Sequence, residues 1–206
     1  MSIPKIVHVV WLGSDMPDRE KQFLDNNLKI LNDYKFYLWD NNTYKDLIFD
    51  QTLLEFINYA IENKKYAFAS DVIKLVALLK FGGWSLDADN EIKQSLDKFL
   101  NYSWVSGFEC YKGNFNPITA AWGAIPEHKF TNQLLEYYKN NSFKSIISKP
   151  NTRWISRIMF DNGIINNNEK QRSELLDIDI FPDYVFCGPE KFNETYILHH
   201  FKGSWL

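Results

Sequence analysis

Short apolar, β-branched runs alternate with longer amphipathic ones through the first half of the chain, and few architectures accept that order. Lys5-Ile6-Val7-His8-Val9-Val10-Trp11-Leu12 is mostly apolar and is stopped by Gly13, the pattern of a buried strand. Pro17 opens a helix whose inward face is expected to hold Phe23, Leu24, Leu28 and Leu31. Tyr34 to Trp39 alternates as a second strand, with Asp40-Asn41-Asn42 as its turn. Helices are predicted over Leu53 to Glu62 and about Phe68 to Lys80; the second has Ser70 and Asp71 in its first turn and Gly82-Gly83 as its stop. Trp84 to Asp89 reads as a short strand ending in carboxylates. Later strands are expected over Trp104 to Glu109 and Ile118 to Ile125, and later helices over Glu127 to Asn140 and Thr152 to Phe160. Strands interleaved with helices predict an α/β fold with a largely parallel sheet. Ligands of such sheets bind outside the carboxyl ends of the strands, where Trp11, Asp40 and Asp87/Asp89 would meet.

The chain has 206 residues, of which 23 are Lys or Arg and 26 Asp or Glu, a net charge of −3 that lacks the basic face of a dedicated nucleic-acid binder. No stretch approaches the roughly 18 uninterrupted apolar residues of a membrane span, and the amino terminus lacks the layout of a signal peptide. With no repeat or linker, residues 1–206 read as a single domain, and the polar interval Asn166 to Glu174 reads as a surface loop. Cys110 and Cys187 are too few for a disulfide framework and read as two buried thiols. Aromatic residues make up 17% of the chain, and Trp11, Trp84, Trp122 and Trp205 stand beside Gly or polar residues, as rings that stack on a ligand do.

Asp87 and Asp89 are two apart, so in an extended segment both carboxylates project from one face and repel unless a cation lies between them. Oxygen ligands suit a hard ion, Mg²⁺ or Mn²⁺; a solvated turn is the plainer alternative. A calcium loop of EF-hand type needs Gly at the sixth position, which here is Ile92. The Asp-x-Asp of phosphatases directly follows the first strand, unlike this one. Near the carboxyl end, an imidazole of His199-His200 would complete a mixed nitrogen and oxygen sphere, and Lys202, Ser204 and Trp205 carry donors for phosphate oxygens. A C-terminal strand that closes the core fits the same letters. Asp71 and Lys74 fit sugar hydroxyls, and equally a surface pair at i, i+3. Asn116 to Gly123 is a candidate acceptor wall with Trp122 as its stacking ring, or simply a buried strand.

Three blocks together resemble the glycosyltransferases of family 32, whose bacterial members build capsules and surface glycans and whose distant relatives include the glucosylating domains of large clostridial toxins. They are Ile3 to His8 with Trp11-Leu12-Gly13; Ala67-Phe68-Ala69-Ser70-Asp71 through Phe81-Gly82-Gly83 to Leu86-Asp87-Ala88-Asp89; and Tyr196 to Trp205. The resemblance implies a GT-A fold, a nucleotide-sugar donor (UDP-galactose or UDP-glucose foremost), Mn²⁺ or Mg²⁺, and hexose transfer with retention to a glycan or lipid-linked oligosaccharide. It gives Val10 and Trp11 to the nucleotide, and Ser70, Asp71 and Lys74 to ribose and donor-sugar hydroxyls. Asp89 and His200 go to the metal, with His199 facing away; Asp87 goes to the metal or, through water, to the ribose; and Lys202, Ser204 and Trp205 go to the diphosphate. Asp89, Asp71 and Trp205 would be catalytic. Lys74 stands where relatives usually carry Arg, and Trp84-Ser85 replaces an aliphatic-Tyr pair. The lack of a membrane anchor implies a bacterial cytosolic enzyme working at the inner membrane face. A Mg²⁺-dependent phosphohydrolase and a non-catalytic carbohydrate-binding module are the competing readings.

Overall fold

The computed structural model describes residues 1–201 except 112, 118, 119, 142 and 148–150. Its strands are β1 (Ile6–Val10), β2 (Lys35–Trp39), β3 (Gly83–Leu86), β4 (Asn90–Ile92), β5 (Trp104–Gly107), β6 (Glu109–Tyr111), β7 (Asn114–Asn116), β8 (Ala121–Ala124), β9 (Gln171–Ser173), β10 (Ile178–Phe181) and β11 (Ile197–His199). The helices are α1 (Asp18–Ile30), α2 (Gln51–Glu62), α3 (Tyr66–Phe81), α4 (Lys129–Asn140), α5 (Phe143–Ile147), α6 (Asn151–Asp161) and α7 (Asp183–Phe186). Seven strands form one sheet in the order β2-β1-β3-β8-β5-β10-β9. Strands β2, β1, β3, β5 and β10 run one way, and only β8 and β9 run against them. The mostly parallel α/β sheet expected from the sequence is therefore present.

Both faces are covered, which is why the central strands are apolar without alternation. One layer packs α2, α3, α4 and α6 through Ile57, Val72, Leu75, Phe130, Leu134 and Ile155. The other gathers Trp84, Phe99, Phe181 and Phe186 beneath α7. Trp84 and Trp122 belong to these cores rather than to a ligand site, with exposures of 0% and 5%. Gly123 makes room for Trp84, since a Cβ there would stand 3.1 Å from its ring. Gly83 is needed more strictly: its φ is +97° and a Cβ would lie 2.5 Å from the Ile6 carbonyl oxygen, so only glycine lets β3 draw up beside β1.

Four sequence expectations change. Helix α3 begins at Tyr66, so Ser70 and Asp71 sit in its second turn rather than its first. The polar interval 166–174 contains β9, an edge strand whose Arg172 pairs with Glu174, Asp177 and Asp179, an environment that tolerates polar residues. Cys187 is buried but Cys110 is exposed. On α1, Leu28 is 41% exposed while Asn27 is buried. The Asn27 side-chain amide donates to the Asn90 carbonyl (2.9 Å), and its oxygen accepts from the Ile92 N–H (2.8 Å). Asn27 thus fastens α1 to the strand that follows the Asp-x-Asp. Asn27→Ala leaves two buried backbone groups unpaired at about 1–3 kcal/mol each, while Leu28→Ala should change stability by less than about 1 kcal/mol; urea denaturation of both variants checks the contrast.

Candidate active site

The parallel strands β1, β2 and β3 end on one edge of the sheet, and the loops there are tied to one another. The Gly13 N–H donates to the Asn41 side-chain oxygen (2.9 Å), and the Asn41 amide donates to the Gly13 carbonyl (3.0 Å). At Gly13 φ is +92°, and a Cβ would stand 2.8 Å from the Tyr66 ring, so the loop after β1 lies against the start of α3. Val10 is buried, and Trp11 is half-buried with its indole N–H donating to the Ser14 carbonyl (2.8 Å). Asp40 does not join the site. Its Oδ1 accepts from the Asn42 and Thr43 N–H groups (both 2.9 Å), closing its own turn.

The chain turns after β3, with the Asn90 N–H donating to the Asp87 carbonyl at 3.0 Å, so Asp87 to Asp89 is not the extended segment expected. The carboxylates still converge, because a second element meets them from the far end of the sequence. Strand β11 pairs antiparallel with β4 in the register His199 to Asn90, and the His200 N–H donates to the Asp89 carbonyl (3.2 Å). That register brings His199 Nε2 to 3.2 Å from Asp89 Oδ1 and 4.0 Å from Asp87 Oδ2. His200 points elsewhere: its Nε2 is 3.0 Å from Glu91 Oε2, and its ring stacks on Phe23 at 4.5 Å. The imidazole that joins the aspartates is therefore that of His199, not His200. Neighbouring residues do face opposite ways, as expected; the register decides which one faces in.

Helix α3 supplies the other half of the site. Lys74 reaches Asp87 in a close ion pair, one turn from Asp71, with Ser70 half-buried beside them. Burial pushes the Asp71 carboxyl up to about 7; Lys74 opposes that shift and the nearby Asp87 adds to it. Burial works against the charges of Lys74 and His199, but in each case the surrounding carboxylates outweigh it and the pKa rises. The Glu109 carboxyl is raised by burial, with His199 pulling it down and Asp87 pushing it up. Lys202, Ser204 and Trp205 lie outside the described residues, as do Ile118 and Thr119 of the candidate acceptor wall.

One donor atom each from Asp87, Asp89 and His199 lies within 4.8 Å of the other two. Two carboxylates and one imidazole are a donor set acceptable to Mn²⁺, and the Lys74 and His199 contacts hold the two carboxylates in place. The residues therefore fit a hard divalent ion. A separate cavity of about 570 Å³, bordered by Leu47, Phe49, Val76 and Lys80, contains none of them. Glu109, Cys187 and Asn27 also meet or support this region and were not picked out from the sequence. A polar Asn on the inward side of an amphipathic helix was the one signal available.

Residues 17–105 match the family described as "Glycosyltransferase sugar-binding region containing DXD motif". Inositol phosphoceramide mannosyltransferase 2 of Schizosaccharomyces pombe is 25% identical over 216 residues, covering 98% of this chain and 58% of its own length. The chain thus spans somewhat more than half of that relative. Among solved structures, the PaToxG glycosyltransferase superposes with a TM-score of 0.59 at 15% identity, over 78% of this chain and 70% of its own. The UDP-bound glycosyltransferase domain from the YGT toxin gives 0.50 at 11% identity, over 80% and 65%. The fold is of the GT-A type, and the likeness to DXD-motif glycosyltransferases read from the sequence stands.

Proposed function

We propose that this chain, whose residues 17–105 match the sugar-binding region of DXD-motif glycosyltransferases, transfers a hexose from a nucleoside-diphosphate sugar to an acceptor hydroxyl with retention of configuration. The observation that carries the reading is the meeting of Asp87, Asp89, His199, Asp71 and Lys74 where parallel strands end, a place suited to a phosphorylated, hydroxyl-rich ligand. UDP-galactose and UDP-glucose are the donors we favour; the UDP in the YGT toxin domain supports the nucleotide. The acceptor is a glycan or a lipid-borne glycan, and the inositol phosphoceramide in the yeast relative's name supports a membrane-borne one. Work at a membrane surface follows from such an acceptor, although no helix among the described residues is long and apolar enough to cross a bilayer. Synthesis of bacterial capsule or surface glycan remains our assignment of pathway, from the resemblance alone.

In the reaction the bond from the anomeric carbon to the phosphate oxygen breaks, and one to the acceptor oxygen forms on the same face. The acceptor proton passes to the leaving diphosphate. Asp87, Asp89 and His199 would hold a Mn²⁺ or Mg²⁺ ion, which when bound stabilises the charge developing on that diphosphate. Asp71 and Lys74 orient ribose and donor-sugar hydroxyls. Lys74 acts as a point charge where an Arg would grip with two parallel bonds. Trp11 would stack on the base, and Lys202, Ser204 and Trp205 carry the donor groups that the sequence resemblance gives to the diphosphate.

Thermal shift with UDP, GDP and their sugars, each with and without Mn²⁺, tests this reading. A ligand at 100 times its Kd stabilises by about 2.7 kcal/mol, and UDP-sugar with Mn²⁺ should give the largest shift. A larger shift with GDP-mannose would reassign the donor. No shift with any nucleotide, together with hydrolysis of simple phosphomonoesters, would favour a phosphohydrolase instead.

A further inference from the structure

His199 borders a second donor set that the transfer reaction does not use. Glu109 at the start of β6, Cys187 just after α7, and His199 each place a donor atom within 4.8 Å of the other two. The arrangement is built into the backbone: the His199 N–H donates to the Cys187 carbonyl at 3.2 Å, and the Cys187 N–H to the Asp183 carbonyl at 2.9 Å. Cys187 is 2% exposed. His199 Nε2 faces Asp89, while its Nδ1 is buried without a hydrogen-bond partner among the described residues. A buried ring nitrogen left unpaired is costly unless something else satisfies it.

The two sets differ in chemistry. Asp87, Asp89 and His199 are oxygen-rich and suit a hard ion; Glu109, Cys187 and His199 combine carboxylate, thiolate and imidazole, the ligand types of zinc. Ligand atoms around tetrahedral zinc stand roughly 3.3–3.8 Å apart, and the three donor atoms, all within 4.8 Å of one another, lie close to that spacing. Three protein ligands leave the fourth position to water. Zinc binds the thiolate, so the Cys187 proton would leave to solvent.

We propose that Glu109, Cys187 and His199 form a second cation site for a thiophilic divalent ion such as Zn²⁺, and that it competes with the aspartate site for their shared His199. Occupancy by Zn²⁺ through Nδ1 would leave the ring's one proton on Nε2, the nitrogen that faces Asp89, so that it could not ligate an ion at the aspartates and turnover would be inhibited; this second half rests on the transfer reaction proposed above.

Binding is tested apart from activity by titrating the reduced, metal-free full chain with Co²⁺, whose thiolate complexes absorb by charge transfer in the near ultraviolet. Wild type and Cys110→Ser should gain that absorption with one equivalent of Co²⁺ and lose it on adding Zn²⁺. Cys187→Ser should never show it, and Glu109→Gln should bind Zn²⁺ at least about tenfold more weakly against a chromophoric chelator. Absence of the band in wild type, or its loss in Cys110→Ser rather than Cys187→Ser, overturns the site. With Mn²⁺ held constant, Zn²⁺ should inhibit donor hydrolysis by wild type and spare Cys187→Ser; equal inhibition of both overturns the competition. If no variant turns over any nucleotide-sugar, the functional reading fails, while the cobalt result stands or falls by itself.

Discussion

Replacing His199 by alanine should lower turnover about as far as replacing Asp89, by roughly 10²–10³-fold, whereas His200→Ala should cost less than about tenfold. The ground is the geometry of β11. His199 Nε2 stands 3.2 Å from Asp89, and His200 is committed to Glu91 and the Phe23 ring. Asp89→Ala removes a carboxylate from the donor set, and His199→Ala removes its only nitrogen. His200→Ala removes a stacked ring and a hydrogen-bond partner of Glu91 on the outer side of β11, which affects how firmly that strand is held. The measurement is initial rate of donor hydrolysis against Mn²⁺ concentration. Asp89→Ala and His199→Ala should both require more Mn²⁺, and His200→Ala should keep the wild-type dependence. The reverse order, with His200→Ala the inactive variant, would restore the assignment suggested by resemblance and sink the one made from geometry.

That exchange of one histidine for its neighbour marks where sequence reasoning stops. The elements are legible because their causes are local: a β-branched run for β1, an aromatic-rich alternating one for β2, Gly82-Gly83 for the end of α3, apolar spacing for α2 and α4. The carboxyl-end location of the site follows from the alternation of strands and helices and needs no coordinates. The register of β11 on β4 is another matter. It pairs residues more than 100 apart in the chain, and sliding by one residue would turn His200 inward instead. Both Ile197 and Leu198 are apolar, so the letters do not choose between the two registers. The tryptophans fail for a similar reason. Trp84 and Trp122 stand next to small or polar residues in the sequence, yet Gly123 is small because Trp84 fills the space above it. The extended geometry that would align Asp87 with Asp89 is abolished by the turn after β3, and His199 and Lys74 reach the two carboxylates from two other elements.

Asp71→Asn is expected to give a protein that is more stable than wild type at pH 8 and transfers almost no sugar. The carboxyl titrates near 7 in the folded chain, raised chiefly by burial, against 3.8 for the ordinary side chain. Between those values the folded state holds a proton that the unfolded state has lost, so folding stability falls as pH rises through that window and stays low above it. An amide in the same place carries no charge to desolvate. The gain at pH 8 should be about 1–3 kcal/mol, less than the full shift would give because Lys74 already offsets part of the cost; for a chain of this length that is a rise in Tm of several degrees. Near pH 4, where the folded-state carboxyl is protonated, the two proteins should differ little. Loss of transfer follows because a carboxylate can accept hydrogen bonds from two sugar hydroxyls and an amide offers one acceptor. Melting curves at pH 4 and pH 8 in the presence of chelator, alongside rates with Mn²⁺, test both halves. Equal or lower stability of Asp71→Asn at pH 8 would show that Asp71 sits charged without strain, as a structural partner of Lys74 rather than a group held ready for a ligand.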